Sequence, residues 1–470
     1  MLIASSLLLI LSTISSLFVD QTQIIQQLIN RNAGKTVTIP PGTYIVRTID
    51  VPKQTQLIIG SKTILKGAPG SQSLPILNLA TGVQIRGTGL IDGNRSVRRK
   101  GMGIRIFDAQ GIKITGIRIR NVAEQGIQIA GCTNVTLTNV QVNGCGAKGN
   151  DQFQGINFVT SKNVRVTGCR IANAQHGIQW WGDDTNGWCE DFRITGNQIQ
   201  NVDGGGIWGN KGRRITVATN TVKTCGDVGV DFEHSVDCSA TNNIVSDCKN
   251  YGLATFHSSE RITFTNNKVY QGVKYGHGIG LIGDGTSKNI SFTGGIITTK
   301  GATACGLLTV GTNVASIITV KGIRITTEGK SGIPIRIIDN NQFRLTNNLI
   351  TSIIGSTGIS LEGSSNSLVE GNTIVHRGTD TSKKGDRGGI FVYFRSPEYP
   401  AQGNKIMRNT IQGFTTGIND ECWGNVNSNN VFEQNTTPNI VHRASNGTWG
   451  GKVIQNQTRA RVMAPVEIKQ

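Results

Sequence analysis

Proline is scarce, 10 in 470 residues, and the charged runs that build helices are nearly absent, so a helical protein is disfavoured. None of the nine cysteines falls in a Cys-x-x-Cys pair, so no zinc site is expected, and the odd count leaves at least one free thiol. No basic stripe with interleaved aromatics occurs, which argues against nucleic acid as a partner. Past the N-terminus no apolar stretch is long enough to span a bilayer, and no heptad run marks a trimeric stalk. Acidic residues are outnumbered, 29 against 47 Lys and Arg. The net charge of +18 admits an anionic partner, an acidic polysaccharide or a cell surface. The basic residues are scattered, however. They alternate with apolar ones, as in Ile117-Arg118-Ile119-Arg120, the pattern of a solvated strand face.

Glycine, by contrast, is abundant at 61, and a hydrophobic content of 37% suffices for a core. Many short strands joined by tight Gly and Asn turns fit this composition. The glycines fall in register: Gly103, Gly126, Gly155, Gly177, Gly206, Gly229, Gly252 and Gly278 each open an alternating apolar stretch. The series continues through Gly306, Gly332, Gly358, Gly389 and Gly417, with gaps of 22 to 31 residues. Each unit holds two or three period-two stretches and no amphipathic helix, which disfavours leucine-rich repeats, βαβ arrays and propellers. The fold class is therefore all-β: a right-handed single-stranded parallel β-helix, a solenoid of about 13 or more coils. Asn220, Asn243 and Asn267, at 14, 14 and 15 residues after their Gly, support the register, as do Asn348 and Asn372. Asn tolerates a left-handed turn, and stacked amides can bond from coil to coil. Cys225 and Cys248, each four residues before its Gly, are expected as stacked neighbours, either disulfide-bonded or as small core groups.

Residues 1–19 read as a secretory signal segment, which predicts a secreted or cell-surface protein; the alternative is that they remain and cover the end of the fold. Residues 20–45 read as a short capping helix, with Ile24, Ile25, Leu28 and Ile29 over the first coil, and a first strand. The β-helix proper spans 46–440, and 441–470 form a polar tail. The opening Ile39-Pro40-Pro41-Gly42-Thr43-Tyr44 resembles that of the pectate-lyase-like superfamily, which implies the same fold and leaves activity open.

Residues two and four places after each Gly should point outward, with coils stacked about 4.8 Å apart. That column reads Asn157, then Gln179 with Trp181, Trp208 with Asn210, and Asp231 with Glu233. Small residues follow at Ala254 and Gly280, leaving room for a groove. Aromatic platforms beside polar groups suit a glycan, so a polysaccharide is the expected partner. Asp231 and Glu233, about 6–7 Å apart on one strand face, are the candidate acid/base pair. Glycosidases retain configuration near about 5.5 Å and invert at about 6.5–9.5 Å, so the estimate does not choose between them. His234, His257 and His277 are candidate catalytic supports. Gln179, Trp181, Trp208, Asn210, Lys211, Arg213, Tyr251 and Tyr275 are candidate substrate contacts. Tyr275-Gly276-His277-Gly278-Ile279-Gly280 resembles the Gly-His-Gly segment of the polygalacturonases, which implies His277 as an active-site member. Gly229-Val230-Asp231 sits where that family has its first catalytic Asp segment. In place of the family's paired aspartates stands Gly252-Leu253-Ala254-Thr255, and no Arg-Ile-Lys occurs.

Three functions stay open: hydrolysis of a polysaccharide, polyuronate β-elimination, and glycan binding or surface adhesion without catalysis. Elimination needs a base and positive charge on the uronate, which Lys211, Arg213, His234, His257 and Tyr275 would supply. No metal or cofactor is expected for hydrolysis. For elimination, calcium is an option, through Asp183, Asp184, Asp203 and Asp227. A second basic site is conceivable where His376, Tyr393 and Arg395 accompany Lys383, Lys384 and Arg387. Oligomeric state is not legible from the sequence.

Overall fold

The computed structural model describes residues 19–70, 72–146, 153–282, 287–311, 315–355, 357–378, 388–436 and 440–442. The chain divides into two compact units, residues 1–178 and 179–470. Each is a right-handed parallel β-helix built from coils of three short strands.

The N-terminal unit begins with one helix, α1 (Thr22–Arg31), which buries Ile25 and Ile29. Ile24 faces solvent at 62% exposure, so only part of the expected apolar set covers the core. The Gln26 amide completes the cap: the Asp50 N–H donates to Gln26 Oε1 at 2.8 Å, and Gln26 Nε2 donates to the Asp50 carbonyl at 2.8 Å. One side chain thus takes the place of a neighbouring strand at the edge. The strands Thr36–Ile39, Gly42–Val46 and Ile49–Val51 make the first coil, and Gln56–Ile59, Thr63–Gly67 and Leu77–Leu79 pair with them in parallel. Alternation of apolar and polar residues puts one face inside. On the third sheet Ile49, Leu77, Ile104, Ile127 and Ile156 stack as one fully buried column.

In the second unit the corresponding column is Ile207, Val230, Leu253, Ile279, Leu307, Ile335, Ile359, Ile390 and Ile418. The repeating glycine has a packing cause. A Cβ at Gly229 would lie 2.3 Å from the Val245 side chain and 2.6 Å from the Gly252 carbonyl, and Gly206 and Gly252 are similarly enclosed. Aromatic rings fill the interior: Phe232 packs on Trp180 at 5.7 Å and on Phe264 at 5.8 Å, and Phe264 stacks on Phe292 at 4.6 Å.

Asn220, Asn243 and Asn267 form the expected ladder, with Asn220 Nδ2 donating to Asn243 Oδ1 at 3.0 Å and Asn243 Nδ2 to Asn267 Oδ1 at 3.0 Å. Asn348, Asn372, Asn409 and Asn430 build a second one. These side chains point inward, and the left-handed residue is the one before: Thr219, Asn242 and Asn266, with φ of 56°, 55° and 52°. Turn and ladder are thus divided between two neighbours. Cys225 and Cys248 are register partners with free, buried thiols in contact, and that contact together with burial pushes the Cys225 thiol well up.

No helix among the described residues is long and apolar enough to cross a membrane. The signal-segment reading lies outside the described residues up to residue 18, as do residues 443–470 of the tail. His376, Tyr393 and Arg395 do not converge: His376 packs on Phe414, Tyr393 on Phe391, and Arg395 pairs with Asp339. Residues 383–387 lie outside the described set.

Candidate functional site

The site lies in the second unit, where third-sheet strands turn the corner into the first sheet. Asn210, Glu233 and Phe256 are register partners at the ends of Ile207–Asn210, Val230–Glu233 and Tyr251–Phe256. The next residue of each coil turns the corner in the left-handed region: Lys211, His234 and His257, with φ of 51°, 42° and 51°. This stacks three charged or titratable side chains at one corner. The corner is close to the core because Trp180 lies under it, and Gly209 admits the ring: a Cβ there would be 2.4 Å from the indole.

These residues line a groove of about 610 Å³. One wall carries Trp181, Asp184 and Trp188; the floor and far wall carry Asn210, Lys211, Glu233, His234 and His257. Trp181, 42% exposed, meets Trp208 edge-on at 6.2 Å. The connecting turn is fixed by Asp183, which accepts from the N–H groups of Thr185 and Asn186 at 2.8 and 2.6 Å. Asp184 pairs with Lys211 Nζ at 2.5 Å and accepts from the Trp188 indole; the Lys211 bond and charge hold its carboxyl below the usual range. The Arg213 guanidinium lies over the Trp188 ring at 4.9 Å. Asn210 Nδ2 donates to the Gly182 carbonyl at 3.2 Å, so its Oδ1 accepts from His234 Nδ1 at 2.9 Å. That bond assigns Nε2 as the basic nitrogen of neutral His234. The His234 and His257 rings are stacked, 5.1 Å apart at 14°.

The carboxyl pair departs from its expected geometry. Asp231 is buried at 3% exposure and does not line the groove. Its carboxyl is hydrogen-bonded to Glu233, so the side chains meet rather than stand 6–7 Å apart. Burial, then the charges of Glu233 and Asp227, push Asp231 well above the usual carboxylate range. Burial raises Glu233 too, against the opposing pull of His257 and of the bond to Asp231. Asp231 is therefore the more strongly raised of the two, and Glu233 is the member at the groove.

Other candidates fall elsewhere. Gln179 is buried at 6% exposure and does not line this groove. Trp208 leans over Gly205, where a Cβ would be 2.6 Å from the indole, and serves as backing for Trp181. Ala254 and Gly280 leave no open floor, because Tyr251 packs on Ala254 and its ring lies where a Gly280 Cβ would come within 2.4 Å. Buried Tyr251, its hydroxyl pushed up to about 12 by burial, stacks on His277 at 5.4 Å. His277 Nδ1 accepts the Cys305 N–H at 2.8 Å, and burial lowers its pKa. Tyr275 packs near Gly272. Tyr251, Tyr275 and His277 thus do not line the groove. Of the four aspartates named for calcium, Asp183 is engaged in its turn, Asp184 with Lys211 and Asp227 with Asn250. Among the described residues no cluster of three His, Cys, Asp or Glu could hold a metal. Val236 and Ser258, missed from sequence, line the groove because the corner exposes residues just past its turn. Their only sequence signal is proximity to His234 and His257.

The family model of the right handed beta helix region matches residues 74–180 and 150–297. No curated protein matches the sequence at a significant level. Among solved structures, a tailspike protein mutant of E. coli bacteriophage HK620 in complex with pentasaccharide is 13% identical, with a TM-score of 0.56, covering 82% of this chain and 76% of that one. The family 28 exopolygalacturonase of Yersinia enterocolitica is 15% identical at a TM-score of 0.43, covering 66% and 75%. The A-module of the mannuronan C-5 epimerase of Azotobacter vinelandii is 15% identical at 0.40, covering 88% and 95%. At such identities the likeness is one of fold, the right-handed parallel β-helix also used by polysaccharide-active proteins.

Proposed function

We propose that this β-helix is a polysaccharide hydrolase whose acid is Glu233 and whose water-activating carboxylate is Asp184. The observation that carries the reading is two carboxyls on one groove, driven apart in pKa: Glu233 raised, Asp184 lowered. Such a split assigns acid and base. Asp231, off the groove, becomes a positioning residue whose raised carboxyl keeps a proton shared with Glu233. Glu233 passes that proton to the leaving glycosidic oxygen, while Asp184 takes a proton from the water that attacks the anomeric carbon. His234 and His257 shape the far wall, and Trp181 offers a face for a sugar ring. A solved tailspike of this fold carries an oligosaccharide, which supports a glycan as the ligand class.

Elimination is less well supported, since Arg213 and Tyr275 do not line the groove. A glycan substrate suits a secreted or surface location, which export of a tagged chain would test. A reducing-end and ultraviolet screen over a polysaccharide panel separates the readings. Hydrolysis yields reducing ends without ultraviolet absorbance, and Glu233→Gln should reduce it by about 100-fold or more. Unsaturated ends would instead establish a lyase, and binding without shortening would leave only an adhesin.

A further inference from the structure

The N-terminal unit has a pocket of its own, about 990 Å³, between the outer side of α1 and the outer face of the third sheet. Its floor is a ladder of hydrogen-bonded side chains, one per coil. Arg105 Nε donates to Asn78 Oδ1 at 3.2 Å, and Asn78 Nδ2 donates to Asp50 Oδ1 at 2.8 Å. Asp50, Asn78 and Arg105 are register partners, so the ladder runs along the stack of coils. The Arg105 guanidinium sits over the Phe107 ring at 5.3 Å, and that ring is 47% exposed at the pocket wall. Opposite, α1 presents the amides of Gln23 and Gln27.

We propose that this pocket is a second carbohydrate site, taking a neutral pyranose glycan. A carboxylate accepts two hydroxyls and a guanidinium donates to two, the bonding that vicinal sugar hydroxyls require. Arg105 Nε and Asp50 Oδ1 are used in the ladder, which fixes both groups and orients Nη1, Nη2 and Oδ2 beforehand. Phe107 supplies the apolar face on which a ring lies, and the volume is that of a small-ligand site. The charges of Asp50 and Arg105 cancel, and a uronate would meet Asp50, so neutral sugars are selected. The site is independent of the Glu233 groove and needs no cleavage.

Affinity electrophoresis of the full chain tests this, in native gels cast with a β-glucan, a galactomannan, a xylan, polygalacturonate or alginate, each referred to a plain gel. In a Trp181→Ala background, which weakens the Glu233 groove, a neutral polysaccharide should still retard the chain, and adding Arg105→Ala or Phe107→Ala should weaken that retardation by about tenfold or more. Phe107→Ala removes no hydrogen bond, so it carries the test should Arg105→Ala fail to fold. No retardation by any neutral polysaccharide, retardation that survives Phe107→Ala in that background, or retardation lost in Trp181→Ala would each overturn the proposal. Loss of cleavage in Glu233→Gln would leave it untouched.

Discussion

At the residue scale the decisive groups are Asp231 and Glu233. A buried carboxyl whose folded pKa is raised stabilises the fold fully below its unfolded pKa, about 4, and loses that contribution as pH rises through the folded value. Asp231→Asn, which stays neutral, should therefore gain thermal stability relative to the unaltered chain as pH rises from about 4 to 8. Melting curves across that range check it; a constant difference would mean that Asp231 ionises normally. The same variant should shift the alkaline limb of any hydrolytic pH profile, since Glu233 would lose its proton-sharing partner. The outward column containing both residues was legible from the Gly register. That Asp231 is buried was not, because period-two alternation marks which face a residue lies on and carries no information about what packs over that face.

At the scale of the coil, the ladder asparagine is the element's internal fastener. Asn243 Oδ1 accepts from both the N–H and Nδ2 of Asn220, while its own Nδ2 donates to Val217 and Asn267. Asn243→Ala removes all four of these bonds and leaves the buried Asn220 N–H without its acceptor, so it should cost about 3 kcal/mol or more. Its neighbour Asn242, left-handed at the turn, should accept glycine within about 0.5 kcal/mol. Chemical denaturation of the two variants distinguishes ladder from turn. The offset of 14 or 15 residues located this element from sequence, but not which of two adjacent residues turns and which bonds. Composition cannot separate them, since both are often Asn. The capping helix was equally visible, yet Ile24 fails to join its buried face, because a ten-residue helix on a narrow coil end buries a single stripe.

For the molecule as a whole, a net charge of +18 sets the long-range field. If the cleaved glycan is anionic, KM should rise steeply between about 50 and 300 mM salt while kcat holds, because screening acts on encounter. A neutral substrate would show a flat response in the same assay. The groove itself adds little to that field, with Lys211 paired to Asp184. The corner that carries Lys211, His234 and His257 recurs along the stack, where other coils hold Asp108, Gly131, Thr160, Asp339 and Gly363 in the same left-handed region. A side chain in that left-handed position costs about 1 kcal/mol where glycine costs nothing. Replacing Lys211, His234 or His257 with glycine should therefore raise the unfolding midpoint while depressing turnover, as parallel melting and activity measurements would register. Left-handed side chains are thus a habit of this corner, and the three groove coils differ from the rest in placing cationic or titratable groups there.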